Sequence, residues 1–218
     1  MRALVLADRP PHADPAALVE GHDVDVVLCL GDLQPSWMER LDRVRLPKLG
    51  VRGNHDVEPY MEPFGIDDVH LRRIELDGGP TVCGFEGCVD YRHGAGEYGP
   101  MYSQRKAAKL MRKLPPADVV LCHCPPYGVN DDPDDPAHVG FEALREWVLE
   151  QRPALLLHGH THPHPGRLVP RLGETRIVYV NGARIVELPR AGAAEAQTAE
   201  RGATSAPAAT ASSGRPKR

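Results

Sequence analysis

The sequence has no run of about 18 consecutive apolar residues, which rules out a membrane-spanning helix. No secretory leader is expected from its start. The apolar start from Met1 to Ala7 is short and Asp8 ends it, so a cytoplasmic location is expected. It also lacks the strong positive charge of proteins that coat nucleic acid. Its 26 Lys and Arg stand against 30 Asp and Glu, a formal net charge of -4. Nucleic acid is left open only as a substrate, in the form of a nucleotide or a strand end. The five cysteines, Cys29, Cys83, Cys88, Cys122 and Cys124, are an odd number, which argues against a disulfide framework. There is no Cys-x-x-Cys pair to build a structural zinc knuckle, and no internal repeat.

What is present is an ordinary globular composition, 41% hydrophobic and 26% charged over 218 residues. Two counts are high, 22 prolines and 11 histidines. Residues 191–218 are mostly Ala, Gly, Ser, Thr, Glu and Pro, with no large apolar side chain. Such a segment cannot offset the entropy of ordering, so residues 1–190 are expected to form one domain and 191–218 a disordered tail.

Within 1–190 the pattern alternates strand and helix. Short apolar runs at 4–6, 24–30, 48–51, 119–122 and 154–158 read as buried strands, because strands covered on both faces lose strict alternation. Residues 14–19 read as a capped helix. Residues 35–45, with Trp37, Met38, Leu41 and Val44, read as an amphipathic helix. Residues 69–76 and 81–85 flank Asp77-Gly78-Gly79 as a hairpin, and 94–99 form a Gly-rich loop. Helices are expected at 103–114, with a basic solvent face, and at 141–150. Stretches 167–172, 176–180 and 183–188 read as short antiparallel strands. The expected architecture is α/β, with two mixed sheets packed together and helices outside.

The residues just past the strands are the informative ones, since α/β sheets gather ligands at the carboxyl ends of their strands. Asp8 follows the first strand, Gly31-Asp32 the second and Gly53-Asn54-His55-Asp56 the third. His123 follows the fourth, and Gly159-His160-Thr161-His162 the fifth. Each strand end thus delivers a carboxylate, a carboxamide or an imidazole, the donors that suit Zn, Mn and Fe. Glycines before Asp32, Asn54 and His160 permit tight turns and close backbone approach.

This ordered set resembles the calcineurin-like metallophosphoesterases across about residues 1–190. The resemblance implies a four-layer α/β/β/α sandwich with a two-metal centre at the sheet edge. It implies that Asp32 bridges two divalent transition-metal ions (Mn, Fe or Zn), that Asp8 and His162 hold one ion, and that Asn54, His123 and His160 hold the other. His55 would be a general acid above the site rather than a ligand, with Asp56 orienting it. The reaction implied is attack on phosphorus by a water activated on the metals, with an imidazole delivering a proton to the leaving oxygen. The substrate would be a small phosphoester or nucleotide, a diester before a phosphoprotein. No membrane or protein partner is inferred.

The sequence departs from the family at its first motif. Asp-x-His is usual there, and Asp8-Arg9-Pro10 stands in its place. Pro10 cannot bind a metal, which leaves three readings: a looser first site, a contribution from His12, or a single ion. It also keeps a second class of function in play, a non-catalytic metal-binding scaffold. The acidic, proline-stiffened loop 125–140 follows His123 and carries His138, a candidate substrate contact. His158 and His164, which flank the His-x-His, read as structural.

Overall fold

The computed structural model describes residues 1–38, 41–57, 60–93 and 98–194. In chain order its elements are β1 (Arg2–Ala7), α1 (Pro15–Gly21), β2 (Val26–Cys29), β3 (Lys48–Gly50), β4 (Asp67–Asp68), β5 (Arg73–Glu75), β6 (Thr81–Phe85), β7 (Cys88–Val89) and β8 (Met101–Tyr102). They continue with α2 (Gln104–Met111), β9 (Val119–Cys122), α3 (Glu142–Gln151), β10 (Leu155–His158), β11 (Arg171–Leu172), β12 (Thr175–Tyr179) and β13 (Gly182–Glu187). One large sheet has the order β13-β1-β2-β3-β4 and the other β11-β12-β10-β9-β6-β5, with β7 and β8 pairing apart. β1, β2 and β3 run parallel, as do β6, β9, β10 and β12.

The two-residue period of the strands sets the layering. From β1, Ala3, Val5 and Ala7 enter one apolar cluster while Leu4 and Leu6 enter another. From β9, Val119 and Leu121 join the same cluster as Val5, and Val120 and Cys122 face the opposite way. The shared cluster lies between the sheets. The outer clusters bring Ala16 and Leu18 of α1 against the first sheet, and Ala107, Met111, Leu144 and Trp147 of α2 and α3 against the second. The result is the four-layer α/β/β/α sandwich. Removing a side chain such as Leu121, which is wholly buried, would cost about 2–5 kcal/mol.

Local signals explain the helix ends. Asp14 accepts from the backbone of Ala16 and Ala17, and Pro15 opens α1, as expected of an N-cap followed by a first-turn proline. The Ser103 hydroxyl caps α2 through the Lys106 N–H. Arg105, Lys106, Lys109, Arg112 and Lys113 are exposed, as a solvated face requires.

Four expectations are corrected. Residues 35–45 do not form an α-helix: the described parts are 3-10 turns at Pro35–Trp37 and Leu41–Arg43. The buried residues Met38, Leu41 and Val44 recur every three positions and are linked by bonds from Leu41 N–H to Met38 O and from Val44 N–H to Leu41 O, a 3-10 period rather than an α period. The segment 69–76 gives a strand only at Arg73–Glu75, although the hairpin with Thr81–Phe85 does form. The three C-terminal strands do not form a meander. β12 runs parallel to β10, and β13 crosses to the other sheet to pair antiparallel with β1. Finally, the boundary of the tail moves: Gly192 and Ala194 donate backbone N–H groups to Asp118. Residues 195–218, and 94–97 of the Gly-rich loop, lie outside the described residues.

Candidate metal centre

The carboxyl ends of β1, β2 and β3 in one sheet meet those of β9 and β10 in the other. Asp8, Asp32 and His160 all have positive φ, of 60°, 53° and 66°. This left-handed backbone is costly for such residues and clusters at functional sites. Glycines clear the space these side chains occupy. A Cβ on Gly53 would lie 2.0 Å from Asp32 Oδ1, and one on Gly159 would lie 2.5 Å from Asp8 Oδ2.

Hydrogen bonds of His160 and His123 tie the sheets together here. The His160 N–H donates to both Asp8 carboxylate oxygens at 3.0 Å. The His123 ring bonds through Nδ1 to Leu30 O at 2.9 Å, which leaves Nε2 3.0 Å from Asn54 Oδ1 and 3.4 Å from Asp32 Oδ2. Among the described residues, Asp8, Asp32 and His123 offer ligand atoms within 4.8 Å of one another.

The electrostatics of this group call for a cation. Burial raises the Asp8 carboxyl to about 6, opposed by His123 and reinforced by Asp32. Burial also raises Asp32, but the charge and hydrogen bond of His123 and the His55 N–H outweigh it and bring the carboxyl down to about 2. Burial lowers His123, yet Asp32 and Asp8 together lift it to about 9. Two partly buried carboxylates thus face one buried imidazole, and the donor set fits a divalent metal ion of the Mn, Fe or Zn kind.

The remaining histidines gather beside this group without joining it. The His160 ring is 4.9 Å from that of His123, and its Nε2 bonds to Ala137 O at 2.8 Å. That carbonyl fixes the tautomer and leaves Nδ1 as the lone-pair nitrogen, the usual arrangement behind a metal-bound imidazole. His162 is exposed, with its ring 5.7 Å from that of His138. His138 lies between, 5.5 Å from His160, with Nδ1 held by Asp135 Oδ2 at 2.6 Å. Loop 125–140 therefore borders the site. His12 is exposed and is not one of the three convergent donors.

His55 is exposed, and its ring meets that of Tyr98 edge-on at 6.4 Å. Its backbone N–H bonds to Asp32 Oδ1. Asp56 does not orient the His55 ring, contrary to the expectation. Asp56 Oδ2 accepts from the backbone N–H of Asp32 at 2.9 Å and of Gly53 at 2.7 Å, so it positions Asp32. The turn Gly53–Asp56 brings its carboxylate back onto the chain rather than out toward the neighbouring ring. Sequence reasoning missed Ala137, whose part is played by a backbone carbonyl that no side-chain pattern marks. It also missed Asn130, whose amide donates to His158 Nε2 and whose Oδ1 receives the Val169 N–H. His158 is buried and held neutral, lowered to about 4 by burial. His164 caps a 3-10 turn through Gly166 N–H. Cys122 and Cys124 point into the helix-side core.

No helix among the described residues is long and apolar enough to cross a membrane. Purple acid phosphatase 22 of Arabidopsis thaliana is 25% identical over 177 residues, 67% of this chain and 40% of that protein. The chain thus spans well under half the length of that curated relative. Among solved structures, TT1561 of Thermus thermophilus superposes with a TM-score of 0.59 at 18% identity, over 83% of this chain and 89% of its own. A second solved chain gives 0.58 at 14% identity, over 86% of this chain and 99% of its own. Both likenesses concern the fold. The family described as calcineurin-like phosphoesterase matches residues 10–164, the span that carries Asp32, the Gly-Asn-His-Asp turn, His123 and the Gly-His-Thr-His segment, and the chain belongs to that family.

Proposed function

We propose that this protein hydrolyses a small phosphoric ester, a diester in preference to a phosphoprotein, with one or two divalent transition-metal ions. The observation that carries the proposal is the convergence of Asp8, Asp32 and His123 from three strand ends of two different sheets. Two partly buried carboxylates facing each other with one histidine between them are an electrostatic cost that a chain selected only to fold would not need.

In this reading Asp32 would serve both ions, Asp8 and His162 would help to hold one, and Asn54, His123 and His160 the other. The bound ions would supply an activated water and offset negative charge on the phosphoryl oxygens. The residues of the chain do the rest. The Leu30 and Ala137 carbonyls hold His123 and His160 in the tautomers that present a lone pair. Asp56 fixes the Asp32 backbone. His55, exposed at the site and anchored to Asp32 through its N–H, delivers a proton to the leaving oxygen. His138, steadied by Asp135, contacts the substrate from the other side. Charge matches as well: Asn54 is a neutral oxygen donor that adds no repulsion toward an anionic substrate.

Pro10, standing where the family carries an imidazole, favours the second reading, a metal-binding scaffold without turnover. One experiment separates the two. Mn²⁺-loaded protein and His55→Ala are incubated with bis-p-nitrophenyl phosphate. Metal-dependent release that falls about 10²-fold or more in the variant supports the enzyme with His55 as its acid. No release by the parent protein with Mn²⁺ supports the scaffold. Equal release by both removes His55 from the mechanism.

A further inference from the structure

Two grooves flank the convergent donors, and they differ in chemistry. One, of about 490 Å³, includes His138, His162, His164 and Arg167 with Asp131 and Asp132. The other, of about 630 Å³, has Asp8, Asp32 and His55 in its wall, and the rest of that wall is largely apolar. Trp37, Val57, Tyr60 and Phe64 line it, with Pro35 and Pro63. No Lys or Arg is among its described lining residues.

The sequence builds this wall in a particular way. Trp37 ends the 3-10 turn Pro35–Trp37, which follows closely on Asp32, and Phe64 ends the turn Glu62–Phe64, beyond Asp56. Each turn carries a proline in its first two positions. Proline fixes φ, so both rings are held on stiff turns that grow directly out of the loops bearing the site. Trp37 and Phe64 are only half-buried and Val57 is 50% exposed. Trp37 and Phe64 pack one side against the outer core of the first sheet and, with Val57, leave the rest of their apolar surface open beside a charged centre.

We infer that this groove receives the leaving group of the ester, and that the leaving group is a neutral, flat, ring-bearing alcohol such as an aryl or nucleoside hydroxyl. The inference rests on the phosphoesterase reading above and adds the substrate class. A proton donor must lie within reach of the oxygen it protonates, and His55 borders this groove and not the other. The part of the substrate attached to that oxygen therefore occupies the groove. A second phosphate there would meet Asp8, Asp32 and Asp56, and among the described lining residues His55 alone carries a transferable positive charge, which the leaving oxygen takes up as a proton. A ring instead finds Trp37 and Phe64 to stack against, and stacking on aromatic side chains tolerates any flat π system. The proline in each turn fixes one φ in advance, which lowers the ordering cost of binding.

The test uses non-hydrolysable phosphonates with the Mn²⁺-loaded full chain. Benzylphosphonate carries a ring where the leaving group sits, and methylphosphonate does not. Calorimetry is expected to show benzylphosphonate bound about tenfold tighter or more. Its binding should also change the fluorescence of Trp37, and that change should be absent in Trp37→Phe. The second tryptophan, Trp147, is buried against the helices and far less sensitive. The affinity ratio should fall toward one in Trp37→Ala. It should fall likewise in Val57→Asp, an exposed position whose replacement leaves the core intact. If the protein hydrolyses bis-p-nitrophenyl phosphate yet binds the two phosphonates equally, the groove is not a leaving-group site and the inference fails alone. If it binds neither phosphonate and hydrolyses nothing with Mn²⁺, the phosphoesterase reading fails and takes the inference with it.

Discussion

The backbone N–H of His160 donates to both carboxylate oxygens of Asp8, at 3.0 Å each, across 152 positions of sequence. This bond joins the carboxyl end of β1 in one sheet to that of β10 in the other. It requires Gly159, since a Cβ there would lie 2.5 Å from Asp8 Oδ2 and 3.0 Å from the Ala7 Cβ. Gly159→Ala is therefore expected to push the Asp8 carboxylate aside, with a smaller adjustment at Ala7 on the edge of the core. A displacement on the order of 1 Å at such a site costs about 10²-fold in rate. Turnover of bis-p-nitrophenyl phosphate and Mn²⁺ content per chain measure it. Full activity in the variant would show that Asp8 plays no part.

Metal binding is expected to stabilise the fold. Asp8 and Asp32 are forced together by folding and separate on unfolding, so the ion favours the native state. At a free Mn²⁺ concentration 100 times its dissociation constant the gain is about 2.7 kcal/mol, or roughly 5–10 °C in Tm for a domain of this size. Thermal unfolding with chelator and with added Mn²⁺ gives the comparison. A Tm indifferent to Mn²⁺ would contradict the proposed ligand set.

His138 touches the site through its neighbours, with its ring 5.5 Å from that of His160 and 5.7 Å from that of His162. As a substrate contact it should act mainly on binding. His138→Ala is expected to raise KM about tenfold, the worth of one hydrogen bond to a charged group, with a smaller change in kcat. Asp135→Asn should shift KM the same way by less, because the imidazole remains but loses its 2.6 Å partner. A loss confined to kcat would move His138 out of substrate binding.

At the other end of the second sheet, Asp118 is almost fully buried and collects the Thr81 N–H and hydroxyl together with the N–H groups of Gly192 and Ala194. Burial pushes its carboxyl up, but these donors outweigh burial and hold it below the usual range. A carboxyl depressed in the fold stabilises above its unfolded pKa, about 3.9, and loses that contribution as pH falls through the folded value. Asp118→Asn is expected to cost about 1–3 kcal/mol at pH 7. Urea unfolding at pH 7 and at pH 3 should show the gap between parent and variant closing in acid. An equal gap at both values would mean that charge is not the cause.

Most of the frame was legible in the linear chain. Runs such as Val119–Cys122 became strands because uninterrupted apolar residues have no solvent-facing alternative. The ligand candidates were legible because each follows such a run. Residues 35–45 misled because Trp37 and Leu41 stand four apart while Met38, Leu41 and Val44 stand three apart, a mixture that suits an α-helical face as well as 3-10 turns, and only the packing of the turns chooses between them. Asp56 misled because its neighbour in sequence is His55, while its partners are the N–H groups of Asp32 and Gly53.

The order and type of donor groups at the strand ends belong to the sequence, since hydrophobic patterning decides where a strand stops and which residue comes next. Which donors meet is decided by tertiary structure alone. Asp8, Asp32 and His123 converge because two sheets stack with their carboxyl edges together, and His162 stays exposed beside His138. The apolar groove beside His55 belongs to the same level. Trp37 and Phe64 lie 27 positions apart, and they share a wall because two separate loops fold over one face of the site.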